Sequence, residues 1–378
     1  MRTLLVDPEP SGHRAFYLSL IVQALAPSYT QLLVPLGAPE LKAHFDRRGL
    51  DIADFHAISP ISDCAKDVVA QAAALVREHR IDRVFFAYFD NYLKILLTSS
   101  DAFPCPVTGI WFHPYALDRR YRWLPPLDKR LSHRRAIHNS LRAPANGLKI
   151  ERIFFTDSSA ADALGHLNPT IPATPLPDPW EKVPSMNRSA ARQYFSLPQQ
   201  RSIFLHIGSS EKRKGLSDTL AAFNTLSQDP ALKDRLLLLR VGENERIKSM
   251  DRALLDDLAA NGMAKIIDQF VPESDFIEYF AASDWILLPY RNFRYSSGIL
   301  SNAIAAERPI IAADHGLIAR MVREYNLGLL FHHGSRANLA CRIHEAVDST
   351  ITPVSSSYRQ TLAPEHFIAA LRQGLQLD

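Results

Sequence analysis

Short apolar runs bounded by Gly, Pro or charged residues alternate along this chain with longer stretches of helical periodicity. The runs predict strands near Thr3–Val6, Gln31–Pro35, Arg83–Ala87, Val107–Phe112 and Arg152–Thr156 in the first half. The same rhythm restarts near Ser202–His206, Leu236–Val241, Lys265–Ile267, Trp285–Leu288, Pro309–Ala312 and Leu329–Phe331. Apolar positions at helical spacing predict helices over Ala15–Leu25, Cys64–His79, Asn91–Leu97, Leu127–Ser140 and Ala160–Leu167, with a last amphipathic one over Pro364–Leu375. Strands that alternate with helices predict an α/β fold with parallel sheets. The proline-rich stretch from Pro169 to Pro184 reads as a hinge between two such domains.

A length of 378 residues suits two domains of about 150–200 residues each. Three cysteines at no motif spacing (Cys64, Cys105, Cys341) point to a reducing compartment and away from a zinc site. The N-terminal run Met1–Val6 meets Asp7-Pro8 too soon for a signal-peptide core. No apolar run approaches the ~20 residues of a membrane span. The expectation is a cytoplasmic protein. The net charge of +3 conceals an uneven distribution: residues 118–142 hold eight Lys or Arg against two Asp, with Trp123, Leu124 and Leu131 among them. Such a segment reads as a solvated helix face, a patch for an anionic membrane surface, or an acceptor-phosphate site. No nucleic-acid motif accompanies it.

The chemistry concentrates between Phe204 and Leu330. A strand ending at Gly208 leads into Ser209-Ser-Glu-Lys-Arg-Lys-Gly215 and a helix. Another strand ends at Pro289-Tyr290, followed by a polar loop to Ser296-Ser297-Gly298 and a helix of small residues. A Gly turn with clustered cations at a helix start favours an anion, because unpaired N–H groups and the helix dipole act together. Two such cradles at strand carboxyl ends most simply serve a nucleotide diphosphate.

This order of landmarks resembles the C-terminal half of retaining family-4 glycosyltransferases with the GT-B fold, over roughly 130 residues. The matching positions are Lys214-Gly215, Val241-Gly242, the segment from Phe276 to Pro289, Ala303, Pro309 and Gly316. The family's paired glutamates are absent, with Arg294 and Asn302 at their positions; Pro289-Tyr290 and Ser297-Gly298-Ile299-Leu300 instead fit a variant pattern without them. The resemblance implies two Rossmann-like domains facing across a cleft. Residues 1–177 take the acceptor side, 178–355 bind the nucleotide sugar, and 356–378 form a helix crossing back to the first domain.

It also implies roles. Lys214 and Arg213 neutralise the leaving diphosphate, with Arg291 an alternative to Arg213. Gly208 shapes the turn, while Ser296, Ser297, Gly298, Ile299 and Leu300 supply hydroxyls and amides. Asn302 faces the ribose. Gln269, Phe270 and Val271 end a strand where the base is read through backbone groups. In the first domain, Gly12 and His13, after Ser11, line the cleft, and His113 reaches a sugar hydroxyl or the donor phosphate. Asp90 reads as a cap rather than a base. Each has a plainer counterpart in a solvated loop, a turn glycine, a Ser cap or a packed His.

No Asp-x-Asp occurs and no His/Cys cluster suggests a metal, so neither metal nor cofactor is expected. The expected activity is metal-independent transfer of a sugar, with retention, from a nucleotide diphosphate sugar to a saccharide or lipid-linked acceptor. The alternatives are a catalytically silent GT-B protein that binds nucleotide or sugar or serves as an assembly partner, or another GT-B enzyme such as a nucleotide-sugar epimerase.

Overall fold

Leu4, Leu5 and Val6 are all fully buried, yet successive side chains point to opposite faces of their sheet. A strand apolar on both sides must be covered on both sides, which is the condition of parallel sheets flanked by helices. The computed structural model describes residues 1–10, 12–26, 28–35, 37–99, 103–118, 129–142, 147–245, 247–349 and 352–377. It divides into two compact units, residues 1–178 with 364–378, and residues 179–363.

The first unit holds β1 (Arg2–Val6), β2 (Tyr29–Leu33), β3 (Arg83–Phe86), β4 (Val107–Ile110), β5 (Ile150–Phe155) and β6 (Ala173–Pro175), all parallel, in the order β2-β1-β3-β4-β5-β6. The final helix, Pro364–Leu375, packs Phe367, Leu371 and Leu375 into the same apolar cluster as the helix His13–Leu25. The division between the units, after Asp178, falls inside the segment Pro169–Pro184 read as a hinge, although β6 occupies part of that segment. This three-residue edge strand ends in a proline, and an edge tolerates the missing donor. The return to the first unit comes later than residue 356. The helix Ser356–Thr361 stays with the second unit, where Tyr358 stacks on Tyr325 at 3.9 Å and Trp180 donates its ring N–H to the Arg359 carbonyl.

The second unit holds β7 (Ser202–Ile207), β8 (Leu236–Val241), β9 (Ala264–Ile267), β10 (Trp285–Leu288), β11 (Ile310–Ala313) and β12 (Gly328–Phe331) in the order β12-β11-β10-β7-β8-β9, again all parallel. From β7 the chain runs outward through β8 and β9, then returns to lay β10 on the other side of β7. That reversal puts the loops after β7 and β10 side by side at the carboxyl edge, where open α/β sheets take ligands.

Of the basic segment, residues 119–128 lie outside the described residues, as does Ser11. The helix expected over Leu127–Ser140 is described as Lys129–Arg142. Among the described residues no helix is long and apolar enough to cross a membrane.

Candidate anion site at the carboxyl edge of the second sheet

The loop after β7 begins at Gly208, whose φ of 111° is closed to most side chains, and a Cβ there would collide with the Lys214 ammonium. The absent side chain thus leaves the place where Lys214 Nζ rests. A single 3-10 turn, Lys212–Lys214, then closes on Gly215, which abuts the Pro289 carbonyl too closely for any Cβ. The backbone locks the two loops together, since Arg291 N donates to the Arg213 carbonyl at 2.7 Å.

Burial and the neighbouring Arg213 and Arg240 push Lys214 down to about 8. Arg213 leans over the Phe293 ring, its guanidinium carbon 5.2 Å from the centroid, and bonds Glu211 at 2.7 Å. Arg291 is engaged elsewhere. Its guanidinium is bidentate on the buried Asp218 carboxylate, which also takes Arg336 at 3.1 Å. Arg213 is therefore better placed than Arg291 as the second cation.

The facing helix, Gly298–Ala305, starts at Ser297, whose hydroxyl lies 3.1 Å from that of Tyr290 and makes no capping bond. The amides of Leu300 and Ser301 both go to the Ser297 carbonyl. Leu300 consequently drops out of the expected amide set, and the amides of Gly298 and Ile299 remain. The Ile299 and Leu300 side chains are buried, so only backbone can act from them. Asn302 donates Nδ2 to the Gly298 carbonyl at 2.6 Å, bracing the first turn. Ser296 sits half-buried in the same loop. Gln269, Phe270 and Val271 fall in the loop beyond β9, which ends at Ile267, and Phe270 is 72% exposed.

Two residues that sequence reasoning passed over lie beneath the turn. His206 and Arg240 are register partners across β7 and β8, on the face that carries Phe204, Leu236 and Leu238. Arg240 is 0% exposed. It donates to the carbonyls of Gly208 at 2.7 Å and Glu243 at 3.3 Å, to that of Val241, and to Asn244 Oδ1 at 3.0 Å. His206 Nε2 donates to the Lys214 carbonyl at 3.1 Å, and burial beside Arg240 lowers its pKa to about 3, so it stays neutral. The signal was available as two polar residues interrupting otherwise apolar strands next to Gly208 and Gly242.

In the first unit, the sheet reverses between β1 and β3. Gly12 opens the helix His13–Leu25 at φ 53° and donates its N–H to the Glu40 carboxylate. His13 packs against Phe16 and the edge of Tyr17, with Nε2 buried and unbonded among the described residues, and burial lowers its pKa. Tyr17 in turn donates to the Asp178 carboxylate. Asp90 accepts from the amides of Phe112 at 3.0 Å and His113 at 2.8 Å, a capping role. His113 Nδ1 lies 2.9 Å from the Tyr88 hydroxyl and 3.2 Å from Asp90 Oδ1. Arg14 covers the Tyr88 ring at 4.6 Å while bonded to Asp7 and Glu9.

With these geometries established, comparison with known proteins is informative. Residues 187–360 match the family model described as Glycosyl transferases group 1, a stretch lying within the second unit. A D-inositol 3-phosphate glycosyltransferase of Geodermatophilus obscurus is 29% identical over 162 residues, covering 42% of this chain and 36% of that protein. The lipopolysaccharide glucosyltransferase WaaG of Escherichia coli is 28% identical over 149 residues, covering 39% and 37%. These matches span little more than a third of each curated relative's length. The crystal structure of WaaG aligns over 100% of this chain and 96% of that one, with a TM-score of 0.64 and 16% identity. Anabaena Alr3699/HepE in complex with UDP-glucose aligns over 100% and 98%, with a TM-score of 0.67 and 16% identity. The fold is GT-B. The glycosyltransferase group 1 match lies on the half of the chain that carries the paired loops.

Proposed function

We propose that this protein is a glycosyltransferase that uses a nucleotide diphosphate sugar. The observation that carries the reading is the backbone bond from Arg291 N to Arg213 O. It joins the Lys214 loop to the loop leading into Gly298, at the point where the sheet reverses. Cations on one loop and helix-start amides on the other then suit the two phosphates of one diphosphate. The named activities of the Geodermatophilus and Escherichia coli relatives, and the UDP-glucose bound to HepE, support the same donor class.

In this reading Lys214 and Arg213 stabilise charge that develops on the leaving diphosphate, and Gly298 and Ile299 amides hold its other end. Asn302 meets the ribose, and the loop of Gln269, Phe270 and Val271 meets the base. For the first unit the proposal gives His113 and His13 hydrogen bonds to sugar hydroxyls. Gly12 keeps the start of the His13 helix open, with no atom within 4 Å of its missing Cβ. Transfer proceeds with retention and without a metal, the leaving phosphate taking the acceptor's proton. The acceptor is a saccharide or lipid-linked saccharide, and residues 118–142 bring an anionic membrane surface within reach at the inner face.

Thermal shift with UDP and GDP tests the donor reading, since a tight ligand raises the melting point by mass action. Stabilisation should exceed that by the monophosphates and persist in EDTA. Stabilisation abolished by EDTA would overturn metal independence, and none with any nucleoside diphosphate would overturn the donor class. Chirality of the product anomeric centre decides retention.

A further inference from the structure

Arg240 is a fully buried cation, and among the described residues no carboxylate comes within ion-pair distance of it. Carbonyl dipoles and the Asn244 amide satisfy its N–H groups but leave its unit charge uncancelled in a low-dielectric place. Asp268 is the acid whose charge acts on it, and that carboxylate is itself bonded to Arg252 and to the Asn244 backbone N–H. Such a charge is tolerated only where something else pays for it.

The position is informative. Arg240 sits under Gly208, with its guanidinium holding the Gly208 and Val241 carbonyls inward. Lys214 Nζ occupies the space that a Cβ on the same glycine would need. Burial first, then Arg213 and in smaller part Arg240, bring Lys214 down to about 8, and burial brings Arg240 itself down to about 10. The groups facing this pair are Arg213 and Glu211 on the loop, neutral His206 from β7, and Asp268 and Arg252 beyond β8. A site that holds more positive charge than its own acids cancel is arranged for a ligand that brings negative charge.

We propose that Arg240 is a positioning residue of the anion site. Its guanidinium fixes the Gly208 turn on which Lys214 rests and adds, from below, charge that a diphosphate at the turn neutralises. The identity of the ligand as a diphosphate rests on the function proposed above; the role of Arg240 toward an anion does not. Anion binding should raise the proton affinity of Lys214, so affinity is held below pH about 8 and declines above it as the free site loses its proton.

The test measures affinity for inorganic pyrophosphate and for UDP by calorimetry across this range in the full chain, for wild type, Arg240→Gln, Arg240→Lys and Lys214→Ala. Lys214→Ala lacks the alkaline limb and so subtracts titration of the ligand. Arg240→Gln should weaken pyrophosphate binding at neutral pH about ten-fold or more. It should also shift the alkaline limb upward, because Lys214 loses a like-charged neighbour. A residue that merely packed the turn would change the melting temperature and leave the limb where it was; an unshifted limb in Arg240→Gln overturns the proposal. If Arg240→Gln does not fold, Arg240→Lys decides: it retains the charge, so its limb should remain near the wild-type pH, and an upward shift overturns the proposal. Wild-type binding of pyrophosphate but not UDP overturns the nucleotide reading alone, leaving the pyrophosphate series to judge Arg240. Binding of neither overturns both.

Discussion

Among the described residues the second unit buries two arginines completely, at opposite edges of one sheet, and meets their charges differently. At the amino edge Arg192 bonds the Asp284 carboxylate at 2.5 Å, the Ala282 carbonyl at 2.8 Å and the carbonyls of Pro198, Gln199 and Arg201. Asp284 also takes Arg188 and the Ile203 amide, both at 2.7 Å, tying β7 to the entry of β10. At the carboxyl edge Arg240 bonds carbonyls and Asn244 Oδ1 but, among the described residues, no carboxylate. The first arrangement gives the buried guanidinium a directly bonded carboxylate and serves the fold. The second has no bonded carboxylate among the described residues, and lies where the loops after β7 and β10 meet. The difference teaches that burial alone says little about role; the bonded counter-charge marks Arg192 as structural, and its absence is the ground for the role proposed for Arg240.

The largest effect should come from breaking the carboxylate-bonded end. Asp284→Ala strands Arg192 as a buried unpaired charge, and removing one partner of such a pair typically costs about 3–5 kcal/mol. Denaturant unfolding should show that loss, while UDP affinity of the folded protein stays near wild type. A large loss of UDP affinity with unchanged stability would reverse the roles given to the two edges.

Lys214→Ala should come next and act oppositely, lowering turnover by about 100-fold or more through loss of one preorganised charge at the leaving group. Stability of the ligand-free protein should not fall, because a repulsive neighbour of Arg213 and Arg240 has gone. Near-full activity in this variant would show that the diphosphate lies elsewhere.

The same lysine gives the ligand-free protein a pH signature. Its folded value of about 8 lies below its ordinary 10.5. Between those values the unfolded chain holds a proton that the folded chain has released. Its contribution to stability therefore rises with pH across this window and is a penalty below it. Comparing denaturation midpoints of wild type and Lys214→Ala near pH 7 and pH 10 isolates this contribution; the gap between them should narrow at the higher pH. A gap that widens contradicts the sign.

The sheets were legible because each central strand is covered on both faces and so reads as an unbroken apolar run, as in Leu236–Leu239. The strand Ala173–Pro175 was not, since three edge residues beside prolines carry no periodic signal. Gly208, Lys214 and Gly298 were legible as a turn, a cation and a helix start, because backbone rules alone assign them. Arg291 stayed an alternative to Arg213 because sequence shows the cation, whereas its partner Asp218 lies 73 positions away. Leu300 was counted as a donor because the sequence does not show that the Ser297 carbonyl takes its amide. His206 and Arg240 escaped because each looks like an isolated polar residue until β7 and β8 are put in register.

The smallest effect belongs to Asn302→Ala, and it sharpens the contrast between charged and neutral members of the site. Asn302 is buried, and its Nδ2 is committed to the Gly298 carbonyl at 2.6 Å, so the amide steadies the first turn from which Gly298 and Ile299 present their N–H groups. Its remaining oxygen can meet a ribose hydroxyl only as a neutral acceptor. A neutral hydrogen bond contributes about 0.5–1.5 kcal/mol net, which corresponds to about two- to ten-fold. Because the ribose is remote from the bond being broken, that contribution is equal in ground and transition states. The loss should therefore appear in the donor KM with kcat nearly intact. Steady-state kinetics at varied donor concentration measures the split. A collapse of kcat would instead place Asn302 among the groups that sense the leaving charge, alongside Lys214 and the Gly208 turn.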